Sequence, residues 1–137
     1  MPVIELDLLI AFVNASDRQH LVADRAFRKI MVGKIKDAST ASSAYLEYEL
    51  VHRSLGYPVE DTRREISGFK NFPNLGEEPL TAKVILEAMR LRETVKDMTY
   101  FDSMHASTAM LGDGEIISTD PIYDKVDGLN RIDPSKI

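Results

Sequence analysis

Apolar positions fall in two rhythms along this chain, short runs bounded by turn residues and longer stretches at helical spacing, and the two alternate. "PVIEL" at 2–6 is a short run. In "DLLIAFVN", which follows, the apolar residues stand too close for strict alternation, which predicts a buried strand running into a helix. A second helix is expected through "HLVADRAFRKIMVGK", where Leu21, Val22, Ala26, Phe27, Ile30 and Met31 share a face. Ser16 or Asp17 can cap its start and Gly33 ends it. "IKDAS" at 35–39 reads as a weak strand. A helix over 42–54, with Leu46, Leu50 and Val51 on one side, meets a second near 59–70 across the turn "GYP", making a helical hairpin.

The segment "NFPNLGEEP" at 71–79 is a loop with room for a short edge strand at its start. "TAKVILEAMRLRETV" then places Ala82, Ile85, Leu86, Met89 and the Arg92 stem at helical spacing. After a further helix over "YFDSMHASTAML", "EIIS" and "GLNRI" read as buried strands. Short strands taking turns with helices predict an α/β fold, a short central parallel sheet of four to five strands with helices on both faces. No repeat, low-complexity run or linker divides the chain, so 1–137 is expected to be a single domain.

Composition narrows the chemistry. The chain of 137 residues has no cysteine, so any metal must be held by oxygen or imidazole, and an intracellular setting fits. The start lacks a basic leader and its apolar run is shorter than the roughly 18–20 residues of a membrane span, so a soluble, cytoplasmic protein is expected. A net charge of −5 argues against holding nucleic acid mainly by long-range attraction. It leaves open an enzyme whose acids are neutralised by divalent cations.

The acids fall in a pattern. Asp7 follows the first strand, Glu47 lies one to two turns into the helix after the second, Asp102 opens a helix, and Asp120 follows "EIIST", with Asp124 just beyond. In open parallel sheets, ligands bind beyond the carboxyl ends of the strands. Each acid also has a local role open to it. Thr99 and Asp102 have the spacing of a capping box, Asp120 before Pro121 that of an N-cap, Asp7 can cap the first helix and Glu47 can be a solvated helix residue. Caps do not explain the convergence, because clustered carboxylates oppose one another's ionisation unless cations compensate. Carboxylate and water ligation suits Mg²⁺ or Mn²⁺, and the chemistry implied is phosphodiester hydrolysis.

In "VIELDLLIAFVN", "SSAYLEYELVHRSLG", "YFDSMHASTA" and "IISTDPIYDKVDGLNRIDP", in that order, the chain resembles the PIN-domain family of metal-dependent ribonucleases, including the VapC-type toxins. The resemblance runs nearly the whole length. It implies a metal-dependent endoribonuclease with Asp7, Glu47, Asp102 and Asp120 as its acids, Asp124 as a further metal ligand, RNA as substrate, a small antitoxin as partner and a homodimer. Ser118 and Thr119 before Asp120 match the family pattern and could supply a hydroxyl near the metal. One departure stands out. The family's first acid is usually followed by a small polar residue, then Thr or Ser and Asn, whereas Asp7 precedes Leu8, Leu9 and Ile10. That loss is compatible with an alternative, a catalytically weakened PIN-fold module that binds RNA or protein.

His105, three residues after Asp102, shares its helix face and could pair with it on a metal, but four acids already suffice and it is read as a packed or solvent-edge residue. Arg53, with Arg63 and Arg64, lies around the hairpin, where it could contact RNA phosphates. Glu49 is the alternative to Glu47. No Ser-His-Asp grouping or glycine-rich phosphate loop is present.

Overall fold

The computed structural model describes residues 2–137. Its strands are β1 (Val3–Ile4), β2 (Ser39–Ala41), β3 (Gly76–Glu78), β4 (Glu115–Ile117) and β5 (Asn130–Ile132). They form one sheet of order β3-β2-β1-β4-β5, parallel throughout. The helices are α1 (Leu6–Val13), α2 (His20–Met31), α3 (Ser42–Ser54), α4 (Val59–Lys70), α5 (Ala82–Thr94) and α6 (Tyr100–Leu111). Short 3-10 turns follow at Pro121–Lys125 and Pro134–Lys136. This is the fold class that the alternation of strand and helix predicts.

Side chains alternate across a strand, so Val3 and Ile116 face one side of the sheet while Ile4 and Ile117 face the other. Ile4 and Ile117 meet Leu9 of α1, Phe27 and Ile30 of α2, Tyr48 of α3 and Phe69 of α4. Phe12 and Phe27 stack there at 4.4 Å between ring centres, with Phe69 and Phe72 beside them. On the opposite face Val3 and Ile116 meet Leu91 of α5, Ala106 and Ala109 of α6, Tyr123 and Val126.

Two strands lie later than the apolar pattern indicates. The second is at Ser39–Ala41, where Ser39 and Thr40 are buried, rather than at 35–39, because Ile35 packs as a side chain against the α1 and α2 core instead of entering the sheet. The third occupies the second half of the 71–79 loop. β5 is an edge strand and only half-buried.

The helix faces differ more. On α3 the buried side chains are Ser43, Ala44 and Tyr48, while Leu46 and Leu50 are exposed. Polar partners set that rotation: Tyr48 Oη donates to Glu65 Oε2 of α4 at 2.5 Å, and Ser43 Oγ meets His105 Nδ1 of α6 at 2.9 Å. On α5, Val84, Ala88 and Leu91 are buried and Leu86 and Met89 exposed. Here the neighbouring α6 offers small residues; Ser107 Oγ donates to the Val84 carbonyl at 3.0 Å and Arg92 Nη1 to Ser103 Oγ at 2.6 Å. Close approach at these serines favours the Val84 and Ala88 face over the bulkier Leu86 and Met89 face. Exposed apolar residues are common on folded chains, so the misreading follows from a pattern with two apolar faces to choose between.

Candidate metal centre

Because all five strands are parallel, the carboxyl ends of β1, β2 and β4 open on one edge of the sheet, and each leads within a few residues into helix. Glu5 comes directly after β1. Its extended backbone makes it the N-cap of α1, and its carboxylate accepts the Asp7 N–H at 3.1 Å. Burial pushes the Glu5 carboxyl well above the usual range, and the adjacent Asp7 and Glu47 add to the effect. Asp7, in the first turn of α1, accepts from both the hydroxyl and the backbone N–H of Thr119 through Oδ2. Its other oxygen, Oδ1, is buried without a hydrogen-bond partner.

Glu47 enters from α3 and Thr119 and Asp120 from the end of β4, so that Glu5, Asp7, Glu47, Thr119 and Asp120 line one open cleft of about 420 Å³. Asp120 caps the 3-10 turn, taking the Ile122 N–H at 2.9 Å, while Ser118 Oγ takes the Asp120 N–H at 3.0 Å. Asp102 stands at the first turn of α6, whose N-cap Thr99 accepts the Asp102 N–H at 3.2 Å. Its Oδ1 lies 3.5 Å from Tyr123 Oη. The Tyr123 phenol sits beneath the acids: burial first, then the charges of Glu5, Asp102, Asp7 and Asp120, drive its ionisation far upward, so it stays protonated as a donor.

Four of the residues read from the sequence lie outside the cleft lining or have other tasks; Asp102 is one, meeting Tyr123 at the start of α6 rather than lining the cleft. Asp124 is held at the surface by a two-point pair with Arg131, at 3.0 and 3.1 Å, and does not line the cleft. Arg53 lies in a separate groove between α3 and α4, with Glu49, Tyr57 and Arg63. Ser118 is fully buried and spends its hydroxyl on the backbone of Asp120. Glu47 rather than Glu49 therefore faces the cleft.

Glu5 is a cleft residue that the sequence reading leaves out, while His105, read there as packed or solvent-edge, is packed and lies outside the cleft lining. Glu5 had a legible signal, an acid at the last position of an apolar strand, but Asp7 two residues on drew the assignment. His105 is fully buried, with Nε2 at 2.9 Å from Glu47 Oε1 and Nδ1 at 2.9 Å from Ser43 Oγ. A glutamate, a second glutamate and an imidazole thus offer ligand atoms all within 4.8 Å of one another. Among the described residues no Lys or Arg forms an ion pair with Glu5, Asp7, Glu47, Asp102 or Asp120. Packed carboxylates with no ion-paired cationic side chain, and an acceptor on Asp7 without a donor, suit a divalent cation. The donor set fits Mg²⁺ or Mn²⁺.

No family model matches the chain. No curated protein sequence matches it either. Solved structures do match over nearly the whole length. The VapC20 toxin of Mycobacterium tuberculosis, described as cleaving the sarcin-ricin loop, superposes with a TM-score of 0.70 at 16% identity, covering 90% of this chain and 93% of that one. VapBC2 from Rickettsia felis, bound to a DNA fragment from its promoter, gives 0.73 at 13% identity over 95% and 96%. A toxin–antitoxin complex from Klebsiella pneumoniae gives 0.67 at 16% over 98% of each chain. The chain therefore has the α/β fold of the VapC toxins, as its resemblance to PIN-domain proteins implies. Among the described residues, no helix is long and apolar enough to cross a membrane.

Proposed function

We propose that this protein is a divalent-metal-dependent endoribonuclease and the toxin of a toxin–antitoxin pair. The observation that carries the reading is the convergence of carboxylates from the ends of β1, β2 and β4 in one open cleft, with Asp7 Oδ1 left without a donor. The fold shared with VapC20, a toxin described as cleaving the sarcin-ricin loop, and the resemblance to PIN-domain ribonucleases support RNA as the substrate. Its shared fold with toxin–antitoxin complexes supports a small antitoxin as partner, and a homodimer comes with the same resemblance.

Glu5, Asp7, Glu47 and Asp120 would hold Mg²⁺ or Mn²⁺, with Asp102 joined to them through the Tyr123 hydroxyl and their shared negative potential. A cation held there would supply an acidified water for attack on a phosphodiester and offset charge on the leaving oxygen. The remaining work is the chain's own. Thr119 pins Asp7 Oδ2 through two donors, which fixes the carboxylate's orientation and leaves Oδ1 for the ion. Tyr123, kept protonated, presents its hydroxyl toward Asp102. The open mouth of the cleft leaves room for an extended phosphate backbone. Thr119 and Asp7 also bear on the departure at Leu8: the hydroxyl that the family places just after its first acid is supplied here from the end of β4.

The test is RNA cleavage with and without Mn²⁺. Cleavage should need the metal, stop with EDTA, and fall on the order of a hundredfold in Asp102→Asn and Asp120→Asn variants whose melting curves show them folded. RNA binding without cleavage, unchanged by EDTA and by both substitutions, would instead identify a binding module of the same fold.

A further inference from the structure

We propose that His105 is a direct ligand of the metal centre, so that one imidazole nitrogen joins the carboxylates and shifts the centre's preference from Mg²⁺ toward Mn²⁺, Co²⁺ and Zn²⁺. The inference rests on the metal reading above. Ligands about 2.0–2.2 Å from a common ion stand no more than roughly 4.4 Å apart, and the donors of Glu5, Glu47 and His105 already lie within 4.8 Å. A small rotation of side chains closes that gap.

The imidazole is also oriented as a ligand would be. A metal-binding histidine usually gives its second ring N–H to a fixed acceptor, which sets ring plane and tautomer. Ser43 Oγ stands at 2.9 Å from Nδ1 and is fully buried with it. A hydroxyl both donates and accepts, so Ser43 serves either tautomer. Without an ion, Ser43 donates to Nδ1 and Nε2–H points at Glu47 Oε1. With one, the ring takes its other neutral tautomer: the Nε2 proton leaves to solvent, Nδ1 takes up one from solvent and donates it to Ser43, and the Nε2 lone pair faces the ion. The second sign of an ion is in the cleft that Glu5 and Glu47 line, where Asp7 Oδ1 is buried without a hydrogen-bond partner. Imidazole suits later first-row metals better than Mg²⁺, which prefers oxygen.

Pulsed electron paramagnetic resonance on the Mn²⁺-loaded native protein reads the ligand directly. A coordinated imidazole adds ¹⁴N modulation to the echo, which a histidine that merely packs would not. The modulation should be present in the native protein and absent in His105→Gln. The same variant should lose about tenfold or more in Mn²⁺ affinity and much less in Mg²⁺ affinity. Mn²⁺ bound without ¹⁴N modulation, or modulation that persists in His105→Gln, overturns the proposal and leaves the carboxylate centre standing. A folded native protein that binds no Mn²⁺ overturns both. The native spectrum decides even if the variant fails to fold.

Discussion

Glu5 concentrates the tension between folding and function in one side chain. Only 7% exposed, it caps α1 through the Asp7 N–H while facing Glu47 and Asp7, so its charged form is costly in the metal-free chain. Glu5→Gln keeps a capping oxygen and removes the charge. It should raise the melting temperature in EDTA while weakening Mn²⁺ binding, and calorimetry beside thermal denaturation checks both arms. A variant that melts lower and binds Mn²⁺ unchanged would mean that Glu5 is a cap alone. At this scale the sequence was legible for Asp7 and Asp120, acids just past a strand end, but not for Glu5 at the same passage as Asp7, because two acids two residues apart compete for one role. His105 was legible as a packed residue but its partners were not, since Glu47 and Ser43 lie about 60 residues away in the chain and are brought close only by the packing of α3 on α6.

Element by element, the apolar rhythm located every helix but not every face. Leu46, Leu50, Leu86 and Met89 satisfy helical spacing and remain exposed, because hydrogen bonds across α3, α4 and α6, and the small residues of α6 against α5, decide the rotation. Those partners are distant in sequence, so periodicity alone cannot weigh them. Turns were more transparent. Gly114 joins α6 to β4 at φ +75, and an added Cβ there would sit 3.1 Å from the Gly128 carbonyl oxygen. Its N–H also donates to the Ala109 carbonyl at 2.8 Å and its own carbonyl accepts the Asn130 N–H at 2.8 Å, tying the helix end to β5. Gly114→Ala should cost about 1–3 kcal/mol in denaturant unfolding with little effect on metal affinity. Loss of less than half a kilocalorie would show that the turn relaxes freely.

For the whole molecule, a net charge of −5 is unevenly spent: several carboxylates crowd the one edge where β1, β2 and β4 end, and the basic side chains pair elsewhere, as Arg131 does with Asp124 and Arg90 with Glu87. The parallel sheet makes this possible, since it delivers strand ends from distant parts of the sequence to a single edge. That architecture was legible from strand and helix order, and it persists in structures sharing only 13–16% of their residues with this chain. Whether this edge is a metal centre is decided by calorimetric titration with Mn²⁺ of the native protein and Glu47→Gln, each confirmed folded by melting. The native chain should bind in the micromolar to sub-millimolar range and Glu47→Gln should bind far more weakly. A folded native protein with no uptake of Mn²⁺, or a Glu47→Gln variant that binds as tightly as the native, would contradict a metal centre at this edge.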